Sequence, residues 1–457
     1  MAQVARAQRR AAARRAKPAP PRRTGRWWPP ATFKARLLWI AGAGLLVRFL
    51  YVGFDVAGQR SFDDRQWFHD VANNLAAGRG FISPFVYDFY GYVMPSAGHP
   101  PLWPAVLSVP AFFGLGSWTA EQFITAIFGT AAVAAVGYLG RRVGGNRIGL
   151  IAAGLAAFSP LLIARDGSLM SESLYGFLVV LSLLAAYRVV DKPVPRSAAY
   201  LGIAIALAAL ARGEALLFVP LLAIPICLRA KPKKTSRGRL LIVMLVATAL
   251  TLAPWTIRNW VALGEPVLIS FNEASVLAGA NCDSSYHGPT TGTWKLSCLA
   301  KTDPRLSEPK VHAIWRRQGL DYLGDHIGDL PRVVFYRVLR TWDLYEPSAQ
   351  AHGDGRDYNV AVVGTWLYLL VLLPLGIWGA VRMYRRRKPL LVLLSPFVVA
   401  TVSAALTWGL TRLRHPADLT LLVFDAVALS AAWDALRTRE RRKGPAPRRR
   451  PAPTVSR

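Results

Sequence analysis

The chain has 457 residues, 53% of them hydrophobic, with a mean hydropathy of +0.27, which excludes an ordinary soluble globule of this size. Its net charge of +30 sits in the two ends and in short loops between apolar runs, the pattern of cytoplasmic flanks of membrane helices, and this argues against nucleic acid as a partner. Three cysteines exclude a disulfide-rich scaffold.

Within the basic tail 1–35, Met1–Arg26 lacks an apolar core, so no cleavable signal peptide is expected and the first apolar run, Leu37–Val52, stays as an anchor. Apolar runs about as long as a bilayer is thick then recur along the chain. They predict about ten spanning helices, at 36–54, 119–140, 147–164, 173–190, 198–212, 214–228, 240–260, 359–381, 389–408 and 416–436. These form a transmembrane unit over 36–436, followed by a second basic tail, 437–457. With the first tail in the cytoplasm, Arg141, Arg142, Arg188, Arg229–Arg239, Arg382–Lys388 and Arg437 all return to that side, as the positive-inside rule requires. Pro101–Gly114 is apolar but short and broken by prolines, and counting it as a crossing would reverse that sorting. It reads as an interfacial or re-entrant helix on the outer side. Spans 198–212 and 214–228 are short and meet at Arg212-Gly213-Glu214; they also fit one tilted hairpin.

Two long outer loops follow from this threading, 55–118 and 261–358. The first holds a helix over 63–77 with Trp67, Phe68, Val71 and Leu75 on one face, read as amphipathic and lying on the membrane. Ser61-Phe62-Asp63-Asp64 opens it. Asp63 or Asp64 suits general-base work, and the same residues fit a capping box with Ser61 as the cap. His99-Pro100-Pro101-Leu102-Trp103-Pro104 makes a stiff entry to the next helix, where His99 is either solvated or orients a substrate. The second loop carries two amphipathic helices within 311–345, separated by Pro331.

Ionisable residues gather at the outer helix ends: Arg165 and Asp166, Glu172, Arg212 and Glu214, Arg258, and Arg412 and Arg414. Charges at that depth mark a site or pair with one another. Guanidinium groups suit bidentate contact with phosphate, and outer arginines run against the positive-inside trend. The outer loop also holds Cys282 and Cys298, candidates for a disulfide closing about 17 residues and contributing about 3 kcal/mol. Cys227 falls in a span and reads as a buried apolar residue. The seven histidines include no pair with metal-ligand spacing, so a divalent metal is possible but unsupported.

In order, these pieces resemble the GT-C superfamily of membrane glycosyltransferases, in particular the bacterial family 39 group akin to protein O-mannosyltransferases and the aminoarabinose transferase. The resemblance spans roughly Arg36 to Ala435 and is strongest over Asp63–Phe81, with His99–Pro104, Leu169–Tyr175, Pro254–Asn259 and Arg412–Pro416 as later blocks. It implies an all-α polytopic bundle in a bacterial plasma membrane, both termini cytoplasmic and the site extracytoplasmic. It also implies a sugar donor on a polyprenyl phosphate, an acceptor hydroxyl on a protein, lipid or glycan, inversion at the anomeric carbon, and a first-loop aspartate as base. Register favours Asp64; the Asp-Asp pair, where the family commonly has Asp-Glu, leaves Asp63 open. Arg412, Arg414 and Arg258 are then expected at the donor phosphate, with His99, Glu172, Arg165, Arg212 and Glu214 around the substrates. No nucleotide or metal cofactor is required. With no evident soluble C-terminal domain, the outer loops must recognise the acceptor. The competing reading is a transporter or flippase of lipid-linked sugars, which needs a site near the bilayer midplane.

Overall fold

A computed structural model describes residues 32–348 and 358–443, which are overwhelmingly helical; among them no strand forms, and one isolated antiparallel bridge joins Ile82 to Pro95. Most of both basic tails, and His352, lie outside the described residues. In chain order the helices are α1 (Phe33–Tyr51), α2 (Asp64–Ala76), α3 (Pro84–Tyr90), α4 (Leu102–Pro110), α5 (Trp118–Gly144), α6 (Asn146–Phe158) and α7 (Pro160–Asp166). There follow α8 (Glu172–Asp191), α9 (Pro195–Ala211), α10 (Ile224–Arg229), α11 (Arg237–Leu263), α12 (Asn272–Ala280) and α13 (Asp283–Tyr286). The last are α14 (Glu308–Asp325), α15 (Leu330–Thr341), α16 (Tyr358–Leu367), α17 (Leu373–Arg385), α18 (Leu391–Leu406) and α19 (His415–Lys443).

Six stretches are long and apolar enough to cross a membrane: Phe33–Val56, Trp118–Gly144, Glu172–Asp191, Arg237–Leu263, Asn359–Arg385 and Thr411–Thr438. Counting α6 and α7 as one span bent by 60° makes seven. The other three expected spans are shorter or broken. The expected 198–212 and 389–408 form apolar helices of 17 and 16 residues, α9 and α18. The expected 214–228 is a succession of 3-10, π and α turns, in which Pro220 and Pro225 each withdraw a backbone donor.

The bend between α6 and α7 shows how the sequence sets a break and then mends it. Pro160 cannot donate to the carbonyl four residues back. Arg48 of α1 supplies the missing donors, reaching the Ala156 carbonyl at 3.1 Å and the Ala157 carbonyl at 2.9 Å, while its Nε pairs with Asp166 at 2.7 Å. Elsewhere small residues bring helices together, as membrane interiors favour. A Cβ on Gly140 of α5 would stand 3.0 Å from the Gly149 Cα of α6.

The first-loop helix forms where the pattern places it, but its apolar face does not meet lipid. Trp67, Phe68 and Val71 of α2 are buried in one cluster with Trp103 and Leu107 of α4, so α2 rests on protein. The second loop contains the two anticipated helices, α14 and α15, the latter with Pro331 in its first turn, where a missing N–H costs nothing. Because α8 begins where α9 ends, one end of the bundle gathers the N-terminus of α2, the start of α8, the residue after α9, the turn before α19 and the segment 265–277.

Candidate active site

A cavity of about 1130 Å³ opens at that end, its wall carrying Asp63, Asp64, His99, Arg212, Glu214 and Arg412. The two aspartates are differently used. Asp63 is extended (φ −150°, ψ −158°) and caps α2, its Oδ1 accepting the Arg65 amide at 2.9 Å. Ser61 donates its hydroxyl to Asp63 at 2.8 Å and the Arg65 guanidinium donates at 2.7 Å. The cap is therefore Asp63 rather than Ser61, because the helix begins two residues later than a Ser61 box requires. Burial pushes the Asp63 carboxyl up, but the hydrogen bonds and charge of Arg65 outweigh it and hold the group below its usual value. Asp64, the first helical residue, is spared capping and keeps 41% of its side chain exposed towards the cavity.

Glu172 organises the cationic wall. Its side chain is 2% exposed, and one oxygen, Oε1, accepts both Arg412 Nε at 2.5 Å and Arg212 Nη1 at 2.6 Å. Arg412 lies on a 3-10 turn, Thr411–Arg414, and reaches forward to Asp64, Nη1 to Oδ2 being 3.3 Å. Arg212, in extended backbone just after α9, also donates Nε to Glu214 at 2.5 Å. The turn that delivers Glu172 is strained: Leu169 has φ 53° and is fully buried, a left-handed conformation that costs a branched residue about 1–2 kcal/mol. Met170 beside it brings its sulfur 3.7 Å from Arg412 Nη2.

His99 completes the polar wall. Its Nε2 stands 3.7 Å from Asp64 Oδ1 and its ring lies over Trp67, centroids 4.6 Å apart. Burial lowers the imidazole below its usual value; Asp64 pulls the other way, while Arg412 and Arg212 add to the lowering, so the ring is neutral at pH 7. Leu216, Leu217, Leu268, Leu406 and Leu413 also line the cavity. Such a lining can accept a proton, neutralise an anion and meet a hydrocarbon.

Residues 98–257 match the model of the family described as dolichyl-phosphate-mannose-protein mannosyltransferase. No curated protein sequence matches the chain. Among solved structures, the oligosaccharyltransferase of Archaeoglobus fulgidus in complex with Zn and sulfate aligns at 19% identity and TM-score 0.52, over 88% of this chain and 50% of its own. Its apo form aligns at 17% identity and TM-score 0.52, over 92% of this chain and 52% of its own. This chain has the GT-C fold. It spans about half the length of those oligosaccharyltransferase structures. ArnT from Cupriavidus metallidurans bound to undecaprenyl phosphate aligns more loosely, at 13% identity and TM-score 0.39, over 90% of this chain and 81% of its own.

Within this fold the anticipated arginines divide. Arg212 and Arg412 line the cavity, but Arg414, Arg165 and Arg258 do not. Arg414 is fully buried, donating to Asp343 at 2.6 Å and lying 3.2 Å from Asp418. Arg165 is buried against Asp418 at 2.6 Å and the Thr411 carbonyl at 2.9 Å. These two form an ionic layer beneath the turn that presents Arg412. Arg258 ties loops together, donating to the Phe81 carbonyl at 2.6 Å and the Ser96 carbonyl at 2.8 Å. Opposite it, Glu308 of α14 accepts the Ala97 amide at 2.6 Å and the Ser96 hydroxyl at 2.8 Å, which fixes the strand of chain leading to His99.

Cys282 and Cys298 are joined in a disulfide, and Cys227 is free and buried. Among the described residues no group of three or more His, Cys, Asp or Glu side chains stands in a metal-holding arrangement. Several lining residues carried no signal in the sequence: the segment 265–277, Trp294, Arg316 and Trp408. All but Trp408, which follows α18, are brought in by the return of the second loop over the bundle end.

Proposed function

We propose that the chain transfers a sugar from a polyprenyl-phosphate donor to an acceptor hydroxyl on the extracytoplasmic face of a bacterial plasma membrane, with inversion. The observation that carries this reading is one cavity in which the Asp64 carboxylate faces the Arg412 guanidinium and leucine side chains share the lining. In the proposed step Asp64 takes the acceptor proton, the acceptor oxygen bonds to the anomeric carbon, and the bond from that carbon to the phosphate oxygen breaks on the opposite face. The polyprenyl phosphate leaves as a monoester, so no separate general acid is needed. Asp64 fits the base better than Asp63, whose oxygens are engaged by Ser61 and Arg65.

Arg412 and Arg212 are the phosphate ligands in this reading, in place of Arg414 and Arg258, which stand away from the cavity. Preorganised cations aimed at the departing phosphate supply the electrostatic stabilisation that usually dominates such catalysis. Glu172 holds both guanidinium groups in place, so their positions do not depend on the substrate. Neutral His99 is suited to hydrogen-bond a sugar or acceptor hydroxyl. The matching family, of dolichyl-phosphate-mannose-protein mannosyltransferases, and the oligosaccharyltransferase fold relatives support a lipid-linked sugar as the donor class.

The test is to incubate the purified chain with radiolabelled polyprenyl-phosphate sugars and membrane extract. Labelled product from the wild type, absent with Asp64→Asn, is the expected result. Absence of transfer with every donor, together with donor movement across proteoliposomes, would instead make the chain a flippase.

A further inference from the structure

The end of the bundle remote from the active site carries a second recess, of about 690 Å³, lined by Tyr138, Arg141, Arg142, Arg188, Lys192 and Tyr200 among others. Its distance from the first site follows from α8. Glu172 opens that helix at the active site and Asp191 closes it in the recess, and 20 residues of helix rise about 30 Å, the thickness of a hydrocarbon core. The two cavities therefore belong to opposite membrane surfaces, whichever way the chain is threaded.

Three features distinguish this recess from a random scatter of basic flanks. Four cations line it against one carboxylate, Asp191, and that carboxylate is paired with Arg142. Among the described residues no carboxylate lies within ion-pair distance of Arg141, Arg188 or Lys192. The guanidinium groups are also held in place by aromatic faces: Arg142 lies 4.9 Å from the Tyr187 ring centroid, Arg188 lies 5.3 Å from that of Tyr200, and Arg141 lies 4.5 Å from that of Phe33. Finally, the charged end passes directly into an apolar one. Leu184 and Ala185 line the recess one helical turn inward of Arg188, and Ile203, a turn inward of Tyr200, is 39% exposed.

We propose that this recess binds the headgroup of an anionic phospholipid from the leaflet opposite the active site, its phosphate among Arg141, Arg188 and Lys192 and its acyl chains along Leu184 and Ile203. Basic pockets between membrane helices are suited to such headgroups, and a recess whose cations exceed its one paired carboxylate favours a net anion over a zwitterion. The site is independent of the transfer reaction and makes no claim on its substrates.

The test uses the purified full chain and native mass spectrometry, titrated with cardiolipin, phosphatidylglycerol or phosphatidylcholine. The expected result is tight retention of the two anionic lipids over phosphatidylcholine by the wild type. Each basic residue at such a surface contributes about a fivefold factor, so the triple variant Arg141→Gln/Arg188→Gln/Lys192→Gln should bind on the order of 100-fold more weakly. The single variant Arg188→Gln should lose about fivefold, and it keeps the test decisive if the triple variant is unstable. A control, Arg385→Gln/Arg386→Gln/Lys388→Gln, removes as much charge from exposed residues outside the recess and should stay within about twofold of wild type. Equal losses in the triple variant and the control would overturn the proposal, as would equal retention of phosphatidylcholine. Release of bound lipid by millimolar inorganic phosphate would assign the recess to a soluble anion and overturn the lipid.

Discussion

Arg412 Nη1 lies 3.3 Å from Asp64 Oδ2, across 348 positions of sequence. The contact joins the first residue of α2 to the turn before the last helix, so acid and cation meet only when the bundle closes. Glu172 accepts Arg412 Nε at 2.5 Å and so holds the same guanidinium from the other side.

Substitutions at the two aspartates should separate chemistry from folding. Asp64→Asn keeps the shape of the side chain and removes the base, so kcat should fall by about 10³-fold with the unfolding temperature unchanged. Asp63→Ala removes the cap and the Arg65 pair, and should destabilise the start of α2 by about 1 kcal/mol while costing transfer less than about tenfold. Transfer assays beside hydrogen exchange of the 65–68 amides read both effects. A dead Asp63→Ala beside an active Asp64→Asn would reverse the assignment.

Glu172 should behave as an anchor shared by two cations. Neutralising it in Glu172→Gln leaves Arg212 and Arg412, each with 14% of its side chain exposed, without their common partner. Breaking a buried pair from one side costs about 3 kcal/mol. Adding Arg412→Gln to Glu172→Gln removes one stranded cation, so the double variant should be more stable than additivity allows by at least about 1 kcal/mol. Denaturant unfolding in detergent of the two single variants and the double variant measures that coupling; strict additivity would show that Glu172 does not anchor Arg412.

Much of this arrangement was legible in the sequence, and the failures have physical reasons. Long apolar runs announce spans because their signal is local, and the spacing of Trp67, Phe68 and Val71 announced α2. What α2 packs against was not legible, since its apolar face suits lipid and the face of α4 equally. Arg412 and Arg414 read as a pair on sequence, but a 3-10 turn has about three residues per turn, so residues two apart point to different sides. One enters the cavity and the other the ionic layer with Asp343 and Asp418. Arg258 misled for another reason: its partners are backbone carbonyls of Phe81 and Ser96, which leave no trace in side-chain identity. The expected span at 214–228 broke because apolar composition says nothing of how Pro220 and Pro225 segment a helix.

The disulfide should matter for the acceptor side of the cavity more than for the bundle. Cys282 follows α12, whose residues Asn272, Glu273 and Val276 line the cavity, and the segment it closes is gripped by Arg340, which donates to the Thr291 carbonyl at 2.7 Å. Cys282→Ser/Cys298→Ser should loosen that segment by about 2–4 kcal/mol in local opening free energy and leave the helices of the bundle unchanged. Hydrogen exchange should rise across 280–300 alone, and KM for the acceptor should rise more than kcat falls. Exchange rising equally in α5 and α8 would make the bridge a global support instead.

Acid should undock α14, and His312 is the reason. Its ring stacks on Phe271, centroids 4.9 Å apart, with 8% of the side chain exposed. Burial chiefly, with Arg316 and His99 adding, holds its pKa at about 4, well below the usual value of 6.5, against the opposing pull of the Phe271 backbone carbonyl. The folded state thus binds fewer protons than the undocked one between those values, so stability is complete above about pH 6.5 and declines as pH falls towards about 4. The full loss is about 3 kcal/mol. Glu308, one turn earlier, works the other way. Burial raises its carboxyl above the usual value, so its contribution is present at low pH and lost as pH rises through the folded value. Amide exchange in α14, corrected for intrinsic rates, should therefore be faster at pH 5 than at pH 7 in the wild type. In His312→Phe the stacking survives and the histidine no longer titrates, so the remaining slope should flatten or reverse under Glu308 alone. The same pH slope in both proteins would show that His312 does not control the docking.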